Sequence, residues 1–362
     1  MNIVLTCNRD MQTRVIKICL VSLLLISHVV ALQWLAIGKR QMMWNKKAHC
    51  THARRQKLLQ GNQGRLCKRN MEFMPLIINA ARATMKTCQE TFADRRWNCS
   101  SIDFVPNLMH DLTAGTREQA FVSSLASAAV GHTIARACSM GSLLSCGCGR
   151  VPREPPNGAF KWGGCADNLR HGFKFARSFC DSPWRQKNRT ETTEAIMNRH
   201  NNKAGRRIAR TSVITQCKCH GVSGSCNIKT CWRALPKLLE VSEFLKRKYY
   251  IATEVVSQWR GKRRKLIPAN SQMGMYGKND LIFITKSPDY CLPNPKVGSL
   301  GTRGRLCNGS SSGTYGCDSM CCGRGFTIET IEKLERCHCK YYWCCYVKCK
   351  ACRIWVQQQK CY

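Results

Sequence analysis

By residue type and neighbours, Ser223 is the first position in this chain to ask about chemistry. It sits in Gly221-Val222-Ser223-Gly224-Ser225, one residue away from the Gly-x-Ser-x-Gly elbow that exposes a hydrolase nucleophile. Ser225 replaces the final glycine, and Cys219 and Cys226 clamp the segment into a tight loop with no strand-to-helix turn around it. A nucleophilic serine also needs a positioned base, and the one neighbouring candidate, His220, is on the same small loop. The second chemistry is metal binding, because Cys217-Lys218-Cys219-His220 and Cys337-His338-Cys339 combine thiols with imidazole. Zinc modules usually space their ligands as Cys-x(2–4)-Cys, and these pairs are one residue tighter. No catalytic residue and no metal ligand is assigned, and the chain is not read as an enzyme.

The elements that must hold these residues follow from cysteine spacing. Nesting 217 with 231 and 219 with 226 keeps the sum of positions nearly constant, as an antiparallel hairpin requires, and puts the apex at Val222, Ser223 and Gly224. Residues i and i+2 share one face of a strand, so a Cys-x-Cys pair can set two disulfides as rungs on one side. The result is a stiff stalk with Ser223 at its tip. Pairing 337 with 352 and 339 with 349 draws a second hairpin centred on Cys344-Cys345, which either close a vicinal ring or reach elsewhere. Its apex carries Tyr341, Tyr342, Trp343 and Tyr346, more aromatic surface than a hairpin tip can bury, and so a recognition surface. Spacing alone leaves other connectivities open.

The chain has 362 residues, 27 of them Cys, with 58 Lys+Arg against 21 Asp+Glu. Cytosolic thiols stay reduced, so this cysteine content points to an oxidising, secretory route. Arg9, Arg14 and Lys17 precede the apolar run from Ile18 to Leu32, and Val29-Val30-Ala31 has the shape of a signal-peptidase site. Cleavage is expected after Ala31, giving a secreted, extracellular product that passes through the endoplasmic reticulum. There, the basic clusters Arg54-Arg55, Arg206-Arg207, Lys246-Arg247-Lys248 and Lys262-Arg263-Arg264-Lys265 meet sulfated glycans and acidic membranes, not nucleic acid. Their spread suggests a diffuse basic surface. Sequons at Asn98, Asn188 and Asn308 agree with secretion.

Four segments are expected. Residues 1–31 are the signal peptide and 32–256 a helical N-terminal domain bearing the first hairpin. Residues 257–279 form a basic linker without apolar periodicity, and 280–362 a small Cys-rich domain whose order comes largely from cross-links. Pro75 starts a helix with Ile77, Ala80, Ala81, Thr84, Met85 and Cys88 on one face. Thr116-Arg117-Glu118-Gln119 is a capping box opening a helix through Phe121, Leu125, Ala128, Ala129 and His132, the last read as a core histidine. Asp167 is expected to cap a third helix, with Leu169, Phe173, Ala176 and Phe179 inward. Pro236 opens a fourth through Leu239, Phe244 and Leu245. The fold class is therefore α+β and disulfide-rich.

The stretch from Cys217 to Cys226 with Lys229-Thr230-Cys231-Trp232, Arg95-Arg96-Trp97-Asn98-Cys99-Ser100, and Lys161-Trp162-Gly163-Gly164-Cys165-Ala166-Asp167-Asn168 resemble motifs of the Wnt family. Cys321-Cys322-Gly323-Arg324-Gly325 and the run from Cys337 to Val347 do likewise, so the resemblance covers about residues 50 to 362. Phe92-Ala93-Asp94, Val222 and Cys337 to Tyr341 are most similar to the subgroup numbered eleven. The resemblance implies a hand-like ligand. A thumb carries a mono-unsaturated acyl ester on Ser223, the only prosthetic group expected, added by a membrane-bound O-acyltransferase. An index finger carries a tip at Tyr342, Trp343, Cys344 and Cys345. The two grip the cysteine-rich domain of a Frizzled receptor, alongside a co-receptor of LDL-receptor-related or receptor-tyrosine-kinase type and heparan sulfate proteoglycan in the matrix.

Family pairing implies Cys88–Cys99, Cys138–Cys146, Cys148–Cys165, Cys291–Cys322, Cys307–Cys317 and Cys321–Cys361 besides the hairpin rungs, and Cys50–Cys67. It has no counterpart for Cys180. Loss of Cys7 and Cys19 with the signal peptide leaves an odd number of cysteines. Cys180 is then either a buried thiol or an exposed one that links two molecules. The competing functional reading is a heparin-binding matrix protein whose cysteines are purely structural; an acyl label on Ser223 discriminates the two.

Overall fold

The computed structural model describes residues 32–40, 43–156, 160–185, 191–261 and 263–362. The expected signal segment 1–31, the Asn188 sequon and Lys262 fall outside them. The α-helices are α1 (Lys47–Arg55), α2 (Gln63–Arg69), α3 (Met74–Phe92), α4 (Arg117–Ser139), α5 (Leu169–Cys180), α6 (Thr193–Thr211), α7 (Leu238–Tyr250) and the single turn α8 (Cys317–Met320). The strands are β1 (Phe160–Trp162), β2 (Ile214–Cys219), β3 (Lys229–Ala234), β4 (Thr253–Arg260), β5 (Arg263–Pro268), β6 (Ile282–Phe283), β7 (Pro293–Asn294), β8 (Ser299–Leu300), β9 (Leu306–Cys307), β10 (Phe326–Tyr342) and β11 (Tyr346–Cys361). No helix among the described residues is long and apolar enough to cross a membrane.

The helical body is built around α4. Its small residues, Ala120, Ser123, Ser124, Ala126, Ser127, Ala128 and Ala129, are buried on every side, so neighbouring helices approach from all directions. A methyl group on Gly205 of α6 would meet the Ser124 carbonyl oxygen at 2.0 Å, so this crossing requires glycine. The Thr116 hydroxyl caps α4 by accepting from the Gln119 amide at 3.2 Å, while the Gln119 side chain accepts from Gly115, not from Thr116. His132 is buried and bonded through Nε2 to the Pro236 carbonyl at 2.8 Å; desolvation lowers its pKa.

Three expectations differ from what the structure shows, and one helix was not expected at all. Asn168, not Asp167, caps α5, accepting from the His171 amide at 3.1 Å. Asp167 is buried and accepts from the Leu235 amide at 2.7 Å and the Ser139 hydroxyl at 2.6 Å, which ties the end of β3 to α4. On α7 the buried residues are Val241, Ser242 and Leu245, while Leu239 and Phe244 are exposed. Leu239, Phe244 and Leu245 do not share one helical spacing, and packing selects the 241/245 pair instead.

Helix α6 escaped the sequence reading because its buried face is polar. Asn201 exchanges hydrogen bonds with Ile282 at 2.9 and 3.0 Å, Asn202 donates to the Cys180 carbonyl at 3.2 Å, and Arg206 pairs with Asp181. Finally, the stretch read as a basic linker, 257–279, holds much of a hairpin. β4 and β5 pair antiparallel from Val255↔Pro268 to Arg260↔Arg263, and β6 pairs parallel with β4. Val255, Leu266 and Ile282 bury against Met197 of α6, while β5 reads as the basic block Arg263-Arg264-Lys265 followed by Leu266-Ile267-Pro268, which leaves no alternation to read.

The C-terminal part has little apolar core beyond Cys317, Met320, Cys321 and Cys361. From it β10 and β11 run out as a two-stranded ribbon, roughly 55 Å long at 3.3 Å per residue. Such a ribbon is marginal in water without further support, and here disulfides provide it.

Candidate functional site

Two hairpin tips stand clear of the folded body. In the first, β2 and β3 pair with Cys217 directly opposite Cys231, and these two are bonded; Cys219–Cys226 closes the distal rung. The loop beyond is held by its own backbone. Gly221 N–H donates to the Ser225 carbonyl at 2.9 Å, Gly224 N–H to Gly221 at 2.9 Å, and His220 N–H to Ile228 at 2.7 Å. A Cβ on Gly221 would lie 2.6 Å from the Ser225 carbonyl oxygen, so the loop closes only with glycine there. Ser223 takes a left-handed conformation (φ 55°, ψ 27°) and is exposed, with no hydrogen bond to its hydroxyl among the described residues. Val222 beside it is 90 % exposed.

A third strand supports the stalk. β1 lies parallel to β3, with Trp162 opposite Cys231, and the Arg233 guanidinium sits 5.2 Å from the Trp162 ring centre. Sequence reasoning noted Lys161-Trp162-Gly163-Gly164 as a motif but assigned it no strand, since three residues carry no readable period.

In the second tip, Tyr342 pairs with Tyr346 and their rings stack at 5.0 Å, leaving Trp343, Cys344 and Cys345 as the turn. Cys344 and Cys345 are bonded to each other as a vicinal ring. Trp343 is 89 % exposed. A bulge between Cys337 and Lys340 shifts the register by one. Cys337 lies opposite Lys350, so its bond to Cys352 is diagonal along one face, and Cys339 bonds Cys349 below the tip. The sulfurs of both zinc-like patterns are therefore held in disulfides.

The remaining bonds are Cys50–Cys67, Cys88–Cys99, Cys138–Cys146, Cys148–Cys165, Cys291–Cys322, Cys307–Cys317 and Cys321–Cys361. Cys180 is the one free thiol among the described residues; it is buried, and burial pushes its pKa up to about 12. Asn98 is half-buried and Asn308 exposed, each accepting a hydrogen bond from the amide two residues on.

The Arg96–Ser100 stretch joins the two parts of the molecule. Arg96 donates to the Ser319 carbonyl at 2.8 Å, and Arg305 donates to the carbonyls of Arg96 and Ala93 at 3.0 and 2.9 Å. Trp97 donates to the buried Asp111 carboxylate at 3.0 Å and packs edge-on against Phe92. The bases of both hairpins thus belong to one hydrogen-bonded and cross-linked frame.

A family model described as the Wnt family matches residues 55–362. The chain is 47 % identical over 338 residues to Protein Wnt-11b-2 of Xenopus tropicalis, covering 91 % of this chain and 94 % of that one. It is 46 % identical over 335 residues to Protein Wnt-11 of Gallus gallus, covering 91 % and 93 %. Among solved structures it is similar to human WNT8A in complex with WLS, with a TM-score of 0.57 and 34 % identity over 80 % of this chain and 94 % of that chain.

Proposed function

This chain belongs to the Wnt family of secreted ligands in developmental signalling, and from that premise we propose that it grips a receptor with its two hairpin tips, using an acyl ester on Ser223 and the aromatic tip at Trp343. The receptor is of the Frizzled type, held through its cysteine-rich domain. The observation that carries this reading is Ser223 itself: a small, exposed hydroxyl at a rigid apex, with exposed Val222 beside it and no hydrogen bond to the hydroxyl among the described residues. An acyltransferase can reach such a hydroxyl, and the chain then acts as a ligand.

Energetics favour a lipid in this place. Each buried methylene contributes ~0.8 kcal/mol, so a dozen supply roughly 10 kcal/mol gross before association costs. Two disulfide rungs fix the attachment point, which limits the ordering entropy on binding. A free acyl chain would favour membranes, so secretion requires a carrier, and the solved complex of WNT8A with WLS suggests a WLS-type protein. Co-receptors of the LDL-receptor-related or receptor-tyrosine-kinase class complete the signalling assembly, and proteoglycans hold the ligand in the matrix.

The test is the intact mass of the peptide from Cys217 to Cys231, taken from secreted protein. A mass increment of one mono-unsaturated acyl group on Ser223 is expected, absent in Ser223→Ala, which should also fail to activate the receptor. An unmodified peptide in secreted protein would instead favour the matrix-protein reading.

A further inference from the structure

Cys344–Cys345 is the one disulfide among the described residues whose two half-cystines are both exposed. In every other, at least one partner is buried or half-buried, as Cys231 is in its bond to Cys217 and Cys349 in its bond to Cys339. A thiolate opens a disulfide by attacking one of its sulfurs, so access decides which bond can exchange. This bond also does little for the fold. A cross-link stabilises by closing a loop of the unfolded chain, and adjacent residues enclose no loop. The ribbon below the ring is held by Cys337–Cys352, Cys339–Cys349 and the stacked rings of Tyr342 and Tyr346. Opening the ring leaves all of these in place.

The charge around the ring favours its opening. No acidic residue occurs from Arg336 to Tyr362. Lys340 and Lys348 face each other across the ribbon just below the turn, and Lys350 follows on β11. Nearby cations lower a thiol's pKa and stabilise the thiolate, which is the leaving group in exchange. We propose that Cys344–Cys345 is a thiol-exchange site, opened by a dithiol while the other described disulfides hold. One thiolate of the dithiol attacks Sγ of either cysteine, forming a mixed disulfide and expelling the other sulfur as thiolate. The second thiol of the reagent then closes the reagent's own disulfide and releases the attacked cysteine. Two electrons pass from the dithiol to the protein, and the dithiol's two protons end on the Cys344 and Cys345 thiols. Closed, the ring holds Cys344 at φ 73°, a left-handed conformation that residues with a side chain rarely adopt. Opened, Cys344 is free to leave it, and Trp343 loses its fixed turn. On the reading that this tip grips a receptor, reduction loosens the grip and reoxidation restores it.

The experiment treats secreted full-length protein with graded dithiothreitol, traps free thiols with iodoacetamide and maps the labels by peptide mass. Cys344 and Cys345 should take label first, at about one-tenth of the dose that opens any other disulfide. Cys344→Ser/Cys345→Ser should take no label at that dose. Earlier or equal labelling of another pair would overturn the site, as would protection of Cys344 and Cys345 throughout. The order of labelling is read on the parent protein, so it decides the site even if the variant folds poorly. Capture by a Frizzled cysteine-rich domain is followed on the same samples. It should fall about five-fold on selective reduction, return when oxidised glutathione recloses the ring, and stay at the lower value in the variant at every dose. Selective labelling with unchanged capture would keep the exchange site and overturn its effect on the grip. A parent that the receptor domain never captures would count against the ligand reading alone, and the labelling order would still decide the site.

Discussion

Trp343 has almost no packing to lose, being 89 % exposed beyond the last paired residues of its ribbon. Replacing it with Ala should leave secretion near normal and weaken receptor binding by ~2 kcal/mol or more, since an aromatic anchor buries its surface only in the complex. Poor secretion with normal affinity would make Trp343 a folding residue. Cys180 presents the reverse case. Thiolate, not thiol, is the nucleophile, and a pKa near 12 in a buried site leaves almost none at neutral pH. Native protein should resist iodoacetamide, and denatured, unreduced protein should take one label, at Cys180. Labelling of native protein at Cys180 would restore the exposed, intermolecular-thiol alternative. Label on any other cysteine would contradict the pairing.

At the scale of elements, each projecting hairpin is too thin to bury its own residues, so cross-links replace a core. The β4–β5 hairpin lacks any disulfide, yet α6 and β6 pack against its base, and Arg264 donates to the Thr193 hydroxyl at 2.9 Å. This packing bears on the run Arg260-Gly261-Lys262-Arg263, which matches the Arg-x-Lys-Arg pattern cut by proprotein convertases. Arg260 and Arg263 are directly paired on adjacent strands, and a protease would have to open that pairing to seat the segment in its cleft. Secreted protein should therefore run as one full-length band on a non-reducing gel. No disulfide crosses the site, so a cut would release two fragments under denaturing conditions.

For the molecule as a whole, the sensitive place is where the helical body meets the Cys-rich part. Asp111 is buried there, accepting from Trp97 and Ser101 through one oxygen. Its other oxygen has no hydrogen bond among the described residues and lies where a side chain on Gly298 would have to go. Burial, with a further contribution from Glu118, raises its pKa from 3.8 to about 6. A pKa raised in the folded state means the fold prefers the proton. The stabilisation is fully present below the unfolded value and is lost as pH rises through about 6. On acidification from about pH 7.5 to about pH 5, the unfolding midpoint of the parent should rise relative to that of Asp111→Asn. A constant difference between the two would remove Asp111 as the titrating group.

What could be read from residues alone was whatever depends on short chain separations. Cys217 with Cys231 and Cys337 with Cys352 are close along the chain, so position sums locate both apices. The capping residue Thr116 and the apolar face from Ile77 to Cys88 are likewise local signals. Helix α6 and the β4–β5 hairpin were not legible, because Asn201, Asn202 and Arg206 become core residues only when Ile282, Cys180 and Asp181 arrive to satisfy them. Periodicity measures apolar side chains, and a buried polar face has none to count. Asp167 has the same history: beside the start of a helix it reads as a cap, and only the arrival of Leu235 from the end of β3 makes it a buried tie to α4 instead.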